Sequence, residues 1–406
     1  MNLLKVPDPT QAGGREVTAR ELLADALPRI QEDLTDPETR MRLLQVVAEV
    51  NQNLGLLEGA YHARNQLIIL STELHGRRSL ETAEELDRLS VLQRNAREFE
   101  HALEAAEECL DIRRELLPAG HLDIGFALKE VAMSHRDLRQ TELAREELRE
   151  AMTILEANLP EDDSRRVHLM ADYAYILRSS GELEESEALY RETIDRMRQD
   201  PDNYRQSRPA ALNNLAYLLK RKEEYEEAEA LYEEAVAGIE AYHGRAHPQT
   251  LMYRNNLAAT KELLGKNEEA RVLLEEAIPL SIQLHGEDHW RVGRAWRSLG
   301  VLLFRNGEYA DSAEAFHSSG EVFAAGLGPE HLWTATSGAL EATSLHLAGD
   351  DDQAERTWRE AARLLDTPDA RVDRNVQGML KLIRDNLPEG QEAWKARLEV
   401  LIPAEG

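Results

Sequence analysis

The sequence repeats the phrase ALNNLAYLLKRKEEYEEAEALYEEAV, Ala211–Val236, as YRNNLAATKELLGKNEEARVLLEEAI, Tyr253–Ile278. Both stretches carry Asn-Asn-Leu-Ala and then Glu-Glu-Ala twice, in one register, with an offset of 42 residues. The same 42-residue interval connects small residues along the chain, at Ala48, Ser90, Ala132, Ala174, Ala216, Ala258, Gly300 and Ala342. We call these the anchor positions; eight in-phase copies without an insertion indicate a repeat protein.

Two further positions of each repeat are also small. Twelve residues after the anchors lie Ala60, Ala102, Ala144, Ser186, Ala228, Ala270, Ser312 and Ala354. Seven residues further on, only Leu67 is large among eight residues. The apolar spacing in the best-formed copy predicts a helix over 209–221 and a longer one over 225–242, joined by a short turn. Small residues at fixed positions let such helices approach closely.

This arrangement of small residues resembles the tetratricopeptide repeat, lengthened to 42 residues as in kinesin light chains. HEAT repeats of similar length are the alternative, and the three small positions favour tetratricopeptide repeats. The resemblance implies an all-α, right-handed superhelix (an α-solenoid) of about eight helix-turn-helix repeats. We expect an N-terminal segment with a capping helix over 1–36, repeats over 37–372 and a degenerate capping helix pair over 373–406.

The turn inside each repeat falls at Gly55, Gly181, Gly265, Gly307 and Gly349, where a left-handed residue is expected. Arg97, Arg139 and Glu223 occupy this position in other repeats. Before the repeats, Thr18 and Glu21 read as a helix-capping pair.

Composition limits the classes of function. The formal net charge of −28 argues against a nucleic-acid or anionic-membrane surface. The single cysteine, Cys109, excludes an intramolecular disulfide and falls at a packing position, so we expect a buried residue rather than a nucleophile. No stretch resembles a signal peptide or membrane span, which predicts a cytoplasmic protein.

No catalytic motif is present: phosphate-loop, dinucleotide-binding and H-E-x-x-H patterns are all missing from the sequence. Recurring loop histidines, at His121, His247, His289 and His331, come one per repeat, too far apart to share a metal. We expect their imidazoles to bond nearby backbone, and we expect Asp in GDDDQ, 349–353, to cap a helix. The sequence therefore predicts no enzyme, cofactor or metal site.

Polar residues before the anchors are the candidate ligand contacts. In tetratricopeptide proteins the first helix of each repeat lines a concave groove, and the resemblance implies that Asn213, Asn214, Asn255 and Asn256 face it, with Arg297 and Ser298 in the next repeat. An asparagine amide both donates and accepts, so it suits a peptide backbone. The alternative is that these amides bond the neighbouring helix.

Basic residues form a second candidate set. Four residues after successive anchors lie Arg94, Arg136, Arg178 and Lys220; Arg221, Arg294 and Arg305 occupy nearby positions, and Tyr217 could add apolar contact. Such a line of charge suits an acidic or phosphorylated segment, or a C-terminal carboxylate. The alternative is pairing with acids of adjacent repeats. We predict a protein-interaction scaffold or adaptor that binds a peptide.

A second resemblance involves residues 3–68. Asp8, Pro9, Gly14 and the run Thr18–Leu22 match the phrase that opens the tetratricopeptide region of certain bacterial serine/threonine kinases. The resemblance implies an alternative function, a sensor or docking module of a receptor-type kinase, which would place the chain outside the cytoplasm. The kinase motifs themselves are missing from this sequence.

Overall fold

The computed structural model describes residues 27–28, 30, 34–54, 56–367, 369 and 373–402. Every regular element labelled within these residues is an α-helix, which confirms the predicted all-α class. The helices are α1 (Pro37–Asn53), α2 (Leu57–His75), α3 (Leu80–Asn95), α4 (Phe99–Leu116), α5 (Leu122–Asp137), α6 (Thr141–Asn158), α7 (Ser164–Ser180), α8 (Leu183–Gln199), α9 (Arg208–Arg221), α10 (Tyr225–His243), α11 (Pro248–Leu263), α12 (Asn267–His285), α13 (Trp290–Arg305), α14 (Tyr309–Leu327), α15 (Leu332–Ala348), α16 (Asp351–Leu365), α17 (Arg374–Asp385) and α18 (Glu392–Leu401).

The helices pack as consecutive pairs, α1 with α2 through α15 with α16, and α17 packs against both α15 and α18. The chain divides into two compact units, an N-terminal unit of residues 1–199 and a C-terminal unit of residues 200–406. Within each unit the second helix of a pair also contacts the first helix of the next pair. Each unit is thus a stack of helix-turn-helix repeats, in which every repeat buries apolar surface against its neighbours.

The anchors are small because the second helix of the repeat lies directly against them. Ser186 donates a hydrogen bond to the carbonyl oxygen of Ala174 at 2.6 Å, and Ser312 donates to that of Gly300 at 2.9 Å. A Cβ added at Gly300 would lie 2.8 Å from the ring of Phe316. The two small positions therefore meet across the pair, as the sequence pattern requires.

The left-handed turn inside the repeats is confirmed wherever the structure describes it. Gly181, Gly265, Gly307 and Gly349 have φ angles of 89°, 72°, 79° and 93°. Arg97, Arg139 and Glu223 adopt φ angles of 68°, 62° and 65° at the same position. A side chain there costs about 1–2 kcal/mol, so the tight turn prevails over local preference. Gly55, Thr18 and Glu21 lie outside the described residues.

The predictions for the loop histidines and for GDDDQ are also confirmed. Nδ1 of His121, His247, His289 and His331 accepts the backbone N–H two residues later, at 3.2, 3.3, 3.2 and 3.1 Å. Each imidazole thus caps the first helix of a repeat. Asp350 caps α16 by accepting the N–H of Gln353 at 3.1 Å. Cys109 is fully buried, and this burial raises the pKa of its thiol to about 12.

None of the helices in the described part of the chain is long and apolar enough to cross a membrane.

Candidate functional site

Two adjoining cavities lie between α11 and α13 in the C-terminal unit. Cavity 1, of about 460 Å³, is lined by residues that include Met252, Asn255, Trp290 and Arg294. Cavity 2, of about 330 Å³, extends along the same helices to Met379 and Leu382 of α17. Asn255, Arg294 and Ser298 line both cavities. Five of the predicted site residues, Asn255, Asn256, Arg294, Arg297 and Arg305, therefore lie around one continuous depression.

The paired asparagines have different environments. Asn256 donates from Nδ2 to Oδ1 of buried Asn213 at 3.0 Å, so this pair bridges α11 and α9. For Asn256 and Asn213, the structure therefore shows a bond to a neighbouring helix, which is the alternative to a ligand contact. Oδ1 of Asn255 is buried and has no hydrogen-bond partner within the described residues. A buried, unpaired amide oxygen costs free energy, which a ligand that supplies a donor would recover.

Three arginines on α13 form what we call the arginine cluster: Arg291, Arg294 and Arg297. Aromatic rings hold their guanidinium groups. Arg291 lies 4.7 Å and Arg294 5.6 Å from the ring centre of Trp290. Arg297 lies 5.5 Å from the ring of Phe323 and 5.6 Å from that of Trp333. These ring contacts orient the side chains without neutralising their charge.

The cluster carries uncompensated positive charge. Among the described residues, none of its three guanidinium groups forms an ion pair, and the nearby Glu262 is bonded to Arg305 at 2.8 Å. Burial and the charge of Arg294 lower the pKa of Arg297 to about 10, with Asp373 acting in the opposite direction. Burial and the charge of Arg291 lower the pKa of Arg294. The pKa of Arg297 still lies well above neutral pH, so this group keeps its charge and the site favours an anion.

The remaining predicted residues are either paired within the protein or lie away from the linings of the two cavities. Arg305 lines cavity 2, but its ion pair with Glu262 already satisfies its charge. On α9, Lys220 lies 5.7 Å from the ring centre of Tyr217, and burial lowers the pKa of this lysine. Asn214 and Arg221 lie on the same helix, half-buried and exposed.

Arg178, in the N-terminal unit, lies 4.8 Å from the ring of Tyr175. In the same unit Arg94 bonds Glu130 at 3.0 Å and Arg136 bonds Asp137 at 2.8 Å. For Arg94 and Arg136, the structure therefore shows the alternative, which is pairing with acidic residues of the protein itself.

Sequence reasoning missed several residues of the site. Trp290 and Arg291 line cavity 1, and so do Met252 and His285, whose Nε2 is buried without a partner among the described residues. Trp290, Arg291 and Met252 do not recur at the 42-residue interval, so the repeat pattern does not mark them, whereas His285 has His243 at the same repeat position. The distribution of tryptophan could have indicated this region, because all five tryptophans of the sequence lie between positions 290 and 394.

Comparison with protein families matches residues 77–123 and 207–283 to tetratricopeptide repeats. The chain contains tetratricopeptide repeats in these two stretches. The second match covers α11 and most of α12, so the site lies partly on a repeat that the family comparison recognises. The comparison with curated proteins found no match.

Solved structures with the same fold include other tetratricopeptide-type proteins. The apo form of RapI aligns with a TM-score of 0.65 and 14% identity over 90% of this chain and 97% of its own. The apo quorum sensor NprR from B. thuringiensis aligns with a TM-score of 0.57 and 14% identity over 90% and 96%. A putative kinesin light chain from Podosopora anserina is 22% identical over 49% and 94%, with a TM-score of 0.44. At such identities the likeness concerns the fold alone.

Tetratricopeptide repeats in general serve as non-catalytic scaffolds for protein interaction, and this coarse function fits the site. Within the described residues no group of three or more His, Cys, Asp or Glu side chains is placed to hold a metal ion. The resemblance of residues 3–68 to a kinase-associated segment stays a prediction, and much of that segment lies outside the described residues.

Proposed function

We propose that this tetratricopeptide-repeat protein is a non-enzymatic interaction scaffold that binds an anionic peptide segment of a partner protein, acidic or phosphorylated, in cavities 1 and 2. The observation that carries the proposal is the amide of Asn255. Its buried Oδ1 is unpaired among the described residues, and it lies between the two cavities. An extended peptide supplies main-chain N–H groups at regular intervals, which is the donor this oxygen lacks.

The other linings of the site support a peptide over a small polar ligand. Cavity 1 has apolar walls from Met252, Ala277 and Trp290, and cavity 2 ends at Met379 and Leu382. A chain lying along α13 could place one apolar side chain at each end and its backbone at Asn255. The arginine cluster then faces the middle of that chain, where an anionic side chain would neutralise it.

The test uses a displayed library of random linear peptides selected on the immobilised wild-type protein. We expect the selected peptides to be enriched in acidic residues, and Asn255→Ala to weaken their binding about five- to tenfold, the effect of one lost buried hydrogen bond. Binding is measured by fluorescence anisotropy with labelled peptides.

Gln283→Ala is the matched control, because Gln283 is an exposed amide on α12 outside both cavities. It should leave the affinity unchanged. Selected peptides that bind wild type and Asn255→Ala equally would assign their binding to another surface.

A further inference from the structure

The arginine cluster carries three positive charges, which is more than a single carboxylate of a ligand could neutralise. Arg291, Arg294 and Arg297 bring three charges to adjacent turns of α13, in a chain whose formal net charge is −28. Glu262, which lines cavity 2, bonds Arg305, and the charge of Asp373 acts on Arg297. A single glutamate side chain on a ligand would therefore leave much of this charge unbalanced.

The geometry of the guanidinium groups suits an anion with several oxygens. Residues three apart on a helix lie on overlapping faces, and each step rises by about 4.5 Å. The rings of Trp290, Phe323 and Trp333 lie 4.7–5.6 Å from the guanidinium carbons. These ring contacts do not neutralise the charge of a guanidinium, and each guanidinium carries five N–H donors. Three such groups offer more donors than two carboxylate oxygens can accept.

We infer that the arginine cluster recognises a phosphorylated serine or threonine side chain within the peptide, an inference that rests on the proposed function. A phosphate monoester carries about −1.5 to −2 charges at pH 7 and three strong acceptor oxygens, which match the charge and the donors of the cluster. Arg294 lines both cavities and is the central contact. Arg291 binds from the side of cavity 1 and Arg297 from the side of cavity 2.

The neighbouring amide argues for a phosphopeptide rather than free phosphate. Asn255 presents an unpaired, buried oxygen that needs a hydrogen-bond donor. The dianion of inorganic phosphate offers at most one O–H, and arginines attract its oxygens rather than this acceptor. A peptide satisfies both features at once, because its backbone N–H groups lie within a residue or two of the phosphorylated side chain.

The experiment compares three oriented peptide libraries that differ only in a fixed central residue, which is phosphoserine, glutamate or serine. They carry distinct mass labels, are mixed in equal amounts and are captured on the immobilised full chain. We expect phosphoserine peptides to be retained at least about tenfold over both other libraries. Arg294→Gln/Arg297→Gln should reduce this ratio to within about twofold.

Arg356→Gln/Arg359→Gln is the matched control, since it makes the same change of charge at exposed positions of α16, away from cavities 1 and 2. It should leave the preference for phosphoserine intact. Equal retention of the glutamate and phosphoserine libraries, with loss of both in Asn255→Ala, would overturn the phosphate inference and leave peptide binding standing. No retention of any library would overturn both.

A last arm titrates inorganic phosphate alone by calorimetry. We expect it to bind at least about a hundredfold more weakly than the retained phosphopeptides, because it makes no contact with Asn255 or the apolar walls. Inorganic phosphate that binds as tightly as the phosphopeptides would show that the peptide contributes nothing, and would overturn the inference.

Discussion

The two units use the same repeat but treat their basic residues differently. In the N-terminal unit, Glu130 accepts from Arg94 at 3.0 Å and lies 3.6 Å from Lys129, while Asp172 lies 3.9 Å from Lys129. In the C-terminal unit, the arginine cluster has no such partners among the described residues. Arg94 and Lys129 of the first unit are thus paired with acids, whereas three arginines of the second are available to a ligand.

The difference is located at one position of the repeat. Glu130 and Asp172 each lie two residues before an anchor. The corresponding residues in the C-terminal unit are Asn214, Asn256, Ser298 and Leu340, which carry no charge, and the first two repeats of the chain have Val46 and Arg88 there. Where the acid is present it pairs with Arg94 or Lys129, and Ser298 offers the arginine cluster no such charge.

The largest expected difference between the two units is the loss of peptide affinity when arginines are replaced by glutamates. Arg294→Glu/Arg297→Glu replaces two attractive charges by two repulsive ones, so we expect the affinity for peptides selected by the wild type to fall at least about a hundredfold. The corresponding double change to glutamate in the N-terminal unit, Arg94→Glu/Arg136→Glu, should alter the affinity less than about twofold in the fraction that folds. Anisotropy titrations measure both, with far-UV circular dichroism to verify folding. Equal losses would contradict the distinction between the units.

Introducing an acid at this position of the C-terminal unit should weaken ligand binding. Ser298 lines both cavities, and Ser298→Asp places a carboxylate at the position of Glu130 and Asp172. It would pair with the arginine cluster and compete with the ligand, so we expect binding to weaken about tenfold. Ser298→Asn, the residue class found at Asn214 and Asn256, should change the affinity less than about threefold. If the aspartate binds peptide as well as wild type, the single-position explanation is wrong.

Much of the fold could be predicted from the sequence because its determinants are local and periodic. The small anchors and the left-handed turns recur every 42 residues. The anchors lie where the two helices of a pair pack together, and the turns connect these helices. The state of each cation could not be predicted in the same way. The partner of Arg94 is 36 residues away, and that of Arg305 is 43 residues away in the opposite direction, so pairing depends on side-chain direction in adjacent repeats.

The aromatic part of the site shows a second limit. Trp290 and Trp333 orient the arginine cluster, yet they occupy different positions of the repeat and fall outside any periodic pattern. The asparagine prediction illustrates the same limit at finer scale. Asn255 and Asn256 are adjacent, but Oδ1 of Asn255 has no hydrogen-bond partner in the described part of the chain, whereas Asn256 bonds Asn213.

Removing an acid from the N-terminal unit should affect stability rather than binding. Arg94 and Glu130 are largely buried, with 17% and 14% of their side chains exposed. Glu130→Gln leaves Arg94 and Lys129 with one carboxylate fewer, so we expect the free energy of unfolding to fall by about 1–2 kcal/mol. Urea unfolding followed by circular dichroism measures this. Glu100→Gln, at an exposed position of α4, is the control and should have no measurable effect.

The smallest expected effect is a dependence on pH confined to the C-terminal unit. There, the rings of His285 and His289 stack at 4.6 Å, and those of His243 and His247 at 3.9 Å. Burial lowers the pKa of His285, and the charges of His289 and Arg291 lower it further. Burial and the charge of His243 likewise lower the pKa of His247. The folded state thus favours neutral imidazoles, whose stabilisation is complete above the unfolded pKa of about 6.5.

As the pH falls from about 6.5 towards the lowered pKa values, the unfolded state binds protons first, and stability is lost. We expect a decrease of about 1–2 °C in the melting temperature between pH 7.5 and 5.5. Tryptophan fluorescence reports the melting of the C-terminal unit alone, because all five tryptophans belong to that unit. His285→Leu, which introduces the residue found at Leu117 and Leu327 in the same repeat position, should reduce the decrease. A loss that persists unchanged in this variant would show that His285 does not cause it.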